Sequence, residues 1–358
     1  MTPDDIIRVR LRQQRLGPEK CATPAETVAW LGAVQAQDFP AAKWALGLRT
    51  RGATDASVED AFNRGAILRT HVMRPTWHFV APADIRSVLA LTGPRVHAVN
   101  AHRYRELGLD RRLLSRSHAA LTRALEGGQY LTRAELAERL VKNRIPAAGQ
   151  ALAYILMHAE LEGLICSGPR RGKQFTYALL EERVPRGKAL PRDDALAAWA
   201  LRYFTGHGPA QLEDFAWWSG LTLADARRGL EAAARHLVSE VCSGKTYWFS
   251  VSPVTGSRAA PKALLLSIYD EYTIAYRDRR VLGEKRYVER LLSMGNALTA
   301  ALVLDGKVVG TWKRAITRDA LEVAISPFRP LRKEEREAFR AAAESYGAFL
   351  GVPRVTLQ

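Results

Sequence analysis

Cysteine is scarce in this chain: among 358 residues only Cys21, Cys166 and Cys242 are cysteines, far apart and never in a C-x-x-C spacing. That excludes a disulfide framework, a cysteine zinc site and an iron–sulfur cluster, and the three thiols are expected to be buried in a reducing cytoplasm. Long apolar runs are missing too. The longest, such as Ala263 to Ile268 and Ala297 to Leu304, fall far short of a bilayer span. Met1 to Leu16 alternates Asp, Arg and Gln with apolar residues and does not read as a signal peptide, so a soluble cytoplasmic protein without membrane association is expected. No two of the eight histidines stand at i, i+4, and neither a glycine-rich dinucleotide loop nor a nucleophile elbow is present. Metal, nucleotide and serine-hydrolase chemistry therefore find no support, and no metal or cofactor is expected.

Acidic residues are also in short supply. The chain has 37 Asp+Glu against 53 Lys+Arg, a formal net charge of +16, which is the electrostatic footprint of a nucleic-acid binder. Arginine dominates the excess. Its planar fork suits phosphates and base edges, although GC-rich coding also enriches Arg and Ala.

What is present is repetition. The length predicts two to four domains. In the middle of the chain Ser117 to Glu126 reads as a helix, Tyr130-Leu131 as a short extended piece, and Thr132 with Glu135 as the capping box of a second helix to about Lys142. A third helix, Gly149 to Glu162, precedes strands Leu164 to Ser167 and Gln174 to Leu179 around a basic turn. Three helices and a hairpin make a winged helix. The order repeats with helices at Asp194 to Phe204, Pro209 to Trp218 and Leu223 to Arg235, then strands Leu237 to Cys242 and Tyr247 to Val251. A looser version opens the chain, with helices Pro24 to Gln37, Pro40 to Leu48 and Val58 to Leu68 before an extended Thr76 to Val80. The last third reads as strands Ala263 to Ile268, Ala297 to Leu304, Lys307 to Arg314 and Ala320 to Ile325, closed by a helix Lys333 to Leu350. The expected fold is mainly α with β: tandem winged helices in 1–114, 115–188 and 189–258, then a small β-barrel-like domain in 259–358.

Within this frame Gln35 and Gln37 form a polar pair where a helix is about to break. Residues two apart on a helix face different sides, so both amides serve one site only if the helix ends there. Phe39 before Pro40 supplies that ending. The pair is either a water-holding site or a solvated helix end. Hairpin-tip cations Arg170, Arg171 and Lys173 are candidate phosphate contacts or ordinary surface charge. Gly244-Lys245-Thr246 resembles the end of a phosphate loop, but Ser239 stands where the earlier glycine is required, and the context is a hairpin. The run Arg69 to Phe79 holds His71, Arg74, Trp77 and His78. Its aromatics are able to stack on an unpaired base, or equally to fill a core. Asp270-Glu271-Tyr272 and Tyr276-Arg277-Asp278-Arg279 offer carboxylates near aromatics, with ion pairing to arginine as the favoured role.

Ala33 to Asp38, Ala42 to Arg49, Leu68 to His78, Asp270 to Tyr272, Tyr276 to Arg279 and Gly310 to Lys313 together resemble the winged-helix DNA glycosylases of the AlkZ/YcaQ type, nearly end to end. The resemblance implies a concave basic surface around double-stranded DNA, contacted by Lys43, Arg69, His71, Arg74, Trp77, His78, Arg170, Arg171, Lys173, Lys245 and Arg277, in a monomer at the nucleoid. It also implies that Gln35 and Gln37 match a Gln-hydrophobic-Gln motif that positions the hydrolytic water, with Ala36 as a small middle residue. Asp38 follows as a possible auxiliary base by proximity. Alkylation at purine N7 or N3 places positive charge on the base, so it departs readily and little general-acid help is needed. The expected activity is hydrolysis of the N-glycosidic bond of alkylated or cross-linked purines. Its rivals are a non-catalytic DNA-binding regulator and an RNA-binding protein.

Overall fold

The computed structural model of the chain describes residues 1–184, 190–250, 262–295 and 299–358. Helix α1 (Pro3–Gln13) starts at a capping box of Thr2 and Asp5. After it one order of elements recurs: helix, extended piece, helix, helix, hairpin. The first unit comprises α2 (Pro24–Leu31), β1 (Ala33–Gln35), α3 (Phe39–Arg49), α4 (Asp55–Asn63), β2 (Leu68–Val72) and β3 (Arg74–Val80). Its sheet has the order β1-β3-β2. The long α5 (Ile85–Glu106) leads to a second unit of α6 (Arg111–Leu125), β4 (Leu131–Thr132), α7 (Arg133–Lys142), α8 (Gly149–Leu161), β5 (Ile165–Ser167) and β6 (Thr176–Leu179). Here the order is β4-β6-β5, the same permutation. A short α9 (Leu180–Arg183) follows. The third unit has α10 (Arg192–Gly206), α11 (Leu212–Ser219), α12 (Leu223–Ala233), β7 (Val238–Cys242) and β8 (Lys245–Phe249), and Ala210 bridges to Trp248 where the other units place their first strand.

The remainder is β9 (Ala263–Leu266), α13 (Glu271–Ile274), α14 (Lys285–Ser293), β10 (Ala301–Leu304), β11 (Lys307–Ile316), β12 (Ala320–Pro327), α15 (Lys333–Leu350) and β13 (Arg354–Leu357). These strands form one sheet in the order β13-β12-β11-β10-β9, antiparallel except for the β12–β13 pair. Along β12, Leu321 and Val323 are buried and Glu322 is exposed, the period of a sheet with one wet face. Helix α15 packs on the sheet as its Ala, Tyr and Phe face requires, with Phe339, Ala343 and Tyr346 fully buried.

Two cores meet at the first sheet. Val34, Ala36 and Phe79 belong to a cluster that joins α2 to α4 with the C-terminal sheet. Ala33, Leu68, Val72 and Val80 belong to another that holds α5 and α10 to α12. The second unit carries a separate core around Leu121, Leu136 and Ile155. Among the described residues no helix is long and apolar enough to cross a membrane.

Several expected boundaries move. The helix expected from Pro24 to Gln37 stops at Leu31, because Gly32 adopts φ +82° and packs so closely that a Cβ there would lie 3.0 Å from Arg202 Cγ. The residues beyond it are a strand. Helix α3 includes Phe39, with Pro40 in its first turn, and the helix expected over Val58 to Leu68 runs instead over Asp55–Asn63. The turn of the third hairpin is Ser243 and Gly244, at φ 49° and 74°, so Lys245 begins β8. Cys21 is half-buried, unlike Cys166 and Cys242. Helices α1 and α5 and strand β13 had no counterpart in the expectation. The unit boundaries at 188 and 258, Val251 at the end of its expected strand, and Ala297 and Leu298 lie outside the described residues.

Candidate functional site

Strand β1 is three residues long, and its register on β3 decides which side chains share a face. Gln35 lies opposite His78, which lies opposite Thr70 on β2, so Gln35, His78 and Thr70 project to one side. Arg69, opposite Phe79, and His71, opposite Trp77, project to the other. The segment read as one polar and aromatic cluster is therefore divided between two faces.

The Gln-Ala-Gln segment continues the pairing beyond the strand. Ala36 N–H donates to Trp77 O at 2.8 Å, and its own carbonyl accepts from Arg69 Nε at 2.9 Å. Ala36 is fully buried in the core beside Phe39, Phe62 and Phe79, so a small residue fits this middle position. Gln35 is 7% exposed, whereas Gln37 is exposed. Gln35 Oε1 accepts from Arg74 Nη2 at 3.1 Å, and Gln37 Oε1 accepts a longer 3.3 Å bond from Trp77 N–H. Asp38 is the N-cap of α3, its Oδ1 accepting from Ala41 N–H at 2.8 Å.

Beneath Gln35 lies a buried carboxylate. Glu271 Oε1 accepts the Gln35 backbone N–H at 2.9 Å, and Oε2 accepts Trp218 Nε1–H at 2.9 Å with His207 Nε2 at 3.4 Å. Burial pushes this carboxyl up, but His207 and the Gln35 N–H bring it below its ordinary range. Asp270 takes the structural role expected of its segment, bound at 2.9 and 2.7 Å by both terminal nitrogens of buried Arg49. His78 is fully buried; burial first, then the Arg74 charge, pushes its imidazole down to about 3, so it is neutral. Its Nδ1 meets Thr76 O at 3.0 Å, and its Nε2 has no protein partner, as is true of the buried Thr70 and Thr76 hydroxyls.

Arg74 connects this floor to the surface. It bonds Gln35 and also the Trp217 carbonyl at 3.3 Å. Trp217 is 45% exposed, and the guanidinium carbons of Arg74 and Arg279 lie 5.9 and 5.8 Å from its ring centre. The approach is fixed by Gly220, the left-handed cap of α11, where a Cβ would collide with Met73 O at 2.1 Å. Glu271, His207, Trp217 and Trp218 were not singled out for the site from sequence. The Trp217-Trp218 doublet held a signal, since adjacent residues on a helix point about 100° apart and only one is able to face the core.

Most of the expected DNA contacts are engaged elsewhere. Lys43 is buried, with Nζ at 2.6 Å from Asp55 and 2.7 Å from Glu59. Arg170 bonds the other Glu59 oxygen at 3.0 Å and lies against Phe39 and Phe175. His71 is buried against Glu160. Arg69 is buried between Trp77 and Phe175, and desolvation pulls its guanidinium down to about 10. Lys245 pairs with Asp278 at 2.7 Å, and Arg171 with Glu135 at 2.7 Å, both at the surface. Lys173 and Arg277 are exposed and form no ion pair with any described residue. A sequence displays charge but not the carboxylate that folding sets beside it.

The model of the family described as DNA glycosylase AlkZ-like matches residues 28–349. A relative from Streptomyces sahachiroi, the interstrand DNA cross-link repair glycosylase, is 25% identical over 95% of each chain. The solved structure of Streptomyces sahachiroi DNA glycosylase AlkZ superposes with a TM-score of 0.82 at 22% identity, covering 100% of this chain and 99% of that one.

Proposed function

Since the chain belongs to the AlkZ-like DNA glycosylase family, and is a hydrolase of N-glycosyl bonds, we propose that Gln35 and Gln37 hold a water between their amides and aim it at the sugar carbon of a damaged nucleotide. One observation carries the reading: Gln35 ends strand β1, Gln37 follows at the bend before α3, and both amide oxygens are held by residues of the same strand β3, Arg74 for Gln35 and Trp77 for Gln37. Arg74 engages Gln35 Oε1 and leaves the amide NH2 to donate to a water oxygen. Gln37 Oε1, held by one long bond, accepts a water proton. The neighbouring hydroxyls of Thr70 and Thr76 and the His78 ring nitrogen lack protein partners, and buried polar groups of this kind are ones that water satisfies.

The substrate in this reading is a purine alkylated at N7 or N3, or one joined to the opposite strand by such a bond. The base is cationic while still attached, takes the electron pair of the breaking N-glycosidic bond and leaves as a neutral molecule, so the barrier is that of an oxocarbenium-like sugar, and neutral amides that orient water suffice. Asp38 commits one oxygen to the cap of α3; the other is the auxiliary base that takes the proton released as water adds to the sugar carbon. Lys173 and Arg277 contact phosphates, and Trp217 stacks on a base at the mouth of the site. The units at 1–114, 115–188 and 189–258 serve as winged helices that grip the duplex, with 259–358 as the β domain.

The test is release of base from duplex DNA containing N7-methylguanine. Gln35→Ala and Gln37→Ala are each expected to slow single-turnover release by about ten- to a thousandfold with DNA affinity retained. Release at the wild-type rate by both variants overturns the assignment of the water to these amides. Salt-sensitive DNA binding with no release by the wild-type protein marks a regulator instead.

A further inference from the structure

Away from the Gln-Ala-Gln strand, three helices bring histidines together that stand far apart in sequence. His97 on α5, His158 on α8 and Glu162 at the end of α8 each place one donor atom within 4.8 Å of the others. His118 on α6 joins them, its Nε2 3.1 Å from His158 Nδ1. The absence of a His-x3-His spacing argued against a metal site from sequence, but spacing reports only ligands on a single helix. Here α8 supplies His158 and Glu162 at i, i+4, and α5 supplies the third donor.

We propose that His97, His158 and Glu162 bind one divalent transition-metal ion of the Zn2+ class, with Tyr104 and His118 orienting the two imidazoles. Both rings have the partner that a ligating histidine needs on its other nitrogen. His97 Nδ1 is 2.9 Å from the Tyr104 hydroxyl, which turns Nε2 toward Glu162 Oε1 at 3.0 Å. That nitrogen is buried and faces the Glu162 carboxylate, so two of the donors already converge. His158 Nδ1 lies 3.1 Å from His118 Nε2, and the other nitrogen of His158 is the donor assigned to the ion.

Two imidazoles and a carboxylate are the donor set of borderline ions such as Zn2+, with solvent completing the shell. Tetrahedral Zn2+ needs donors roughly 3.3–3.5 Å apart, so the widest separation has to close by rotation of side chains, of which the half-exposed Glu162 is free to move. Entry is open, since His97 and Glu162 line a cavity of about 310 Å³. A bound ion would tie α5, which leaves the first unit, to α8 of the second, across the small apolar contact of Val96 with Met157 and Leu161.

The experiment is titration of the full chain, stripped with chelator, with Zn2+ by calorimetry, alongside Co2+ absorption and thermal unfolding. One equivalent is expected to bind and to raise the melting temperature. His97→Ala and Glu162→Gln are expected to lose the site, and Tyr104→Phe to weaken it on the order of tenfold or more. Glu162 is exposed enough for its variant to fold, so failure of His97→Ala to fold leaves the test intact. No stoichiometric binding, or binding unchanged in Glu162→Gln and in the double variant His97→Ala/His158→Ala, overturns the proposal. Base release is expected to survive in Glu162→Gln, because the ion pair of Glu162 is with His97 and not with Gln35, Gln37 or the groups that hold them.

Discussion

Replacing Glu271 by glutamine changes one atom of a side chain that never reaches the surface, and the arrangement around it sets the consequence. Both carboxylate oxygens accept from N–H donors, the Gln35 backbone and the Trp218 indole, each at 2.9 Å. Glutamine retains one acceptor oxygen, so its NH2 must face one of the two donors. A charged hydrogen bond contributes about 1.5–3 kcal/mol, and a buried donor left unsatisfied costs about 1–3 kcal/mol. Removing a buried charge offsets part of that, which leaves a net loss of about 2–4 kcal/mol for Glu271→Gln. If Gln35 is the donor released, its strand end shifts, and a displacement of about 1 Å in a positioning group lowers a rate on the order of a hundredfold. The assay pairs urea unfolding with single-turnover release of N7-methylguanine and anisotropy with duplex DNA. The expected pattern is a lower urea midpoint, slower release and unchanged DNA affinity. Acid dependence supplies an independent check. The carboxyl lies below its ordinary 4.5 in the folded chain, so its contribution is complete above 4.5 and is lost as pH falls through the lower folded value. A Glu271→Gln protein with the wild-type midpoint and a release rate within about threefold of wild type would refute the role given to this carboxylate.

His78 titrates with the opposite chemistry but the same direction. Its imidazole is at about 3 in the folded chain and 6.5 when free, so unfolding takes up a proton below 6.5; stability is lost as pH falls from 6.5 toward 3, by at most about 1.4 kcal/mol per pH unit. His78→Gln should flatten that loss, and identical slopes would contradict a buried neutral ring. Lys43 and Lys173 separate structural from DNA-facing cations. Lys43→Ala strands Asp55, removes one of the two cations on Glu59, and should lower stability by about 1–3 kcal/mol while leaving the salt dependence of DNA binding alone. Lys173→Ala should reduce the slope of log K against log salt by roughly 0.9 with stability unchanged; the reverse pattern would reassign both residues. Trp217→Ala should weaken binding to DNA with an unpaired base by about 1–3 kcal/mol, and equal affinity would remove it from the interface.

Much of the architecture was readable because it is local. The Thr132–Glu135 capping box, the hairpins after α8 and α12, and helix α15 each rest on residues within a few positions of one another; the capping box and α15 stand where expected, and both hairpins form, although the second strand after α12 starts two residues early at Lys245. Strand β1 was not readable that way. Three residues carry no periodicity, and Ala33-Val34-Gln35 continues the apolar pattern of α2 until Gly32 is seen at a positive φ. The signal lay in the repeat: the second unit has an extended piece between its first two helices, and the same slot in the first unit is held by Gln35. The supporting contacts were less accessible still, for Glu271 stands 236 positions from Gln35 and Trp217 stands 143 from Arg74.

That distance has a structural consequence. Gln35 is held on one side by β3 of its own unit, but its backbone N–H is taken by a residue beyond the third unit, and Arg74 is steadied by the third unit's α11. The core on the Gln35 face is likewise shared with α10 to α12. Residues 1–114 thus carry the glutamines and the β3 groups that bond their amides, but not the carboxylate beneath Gln35 or the helix that steadies Arg74. Excised alone, that segment would expose Ala33, Leu68 and Val80, leave the Gln35 N–H to water and leave Arg74 without its contact to α11. The proposed water-aiming geometry therefore requires the assembled chain, since Glu271 and α11 lie far from the glutamines in sequence.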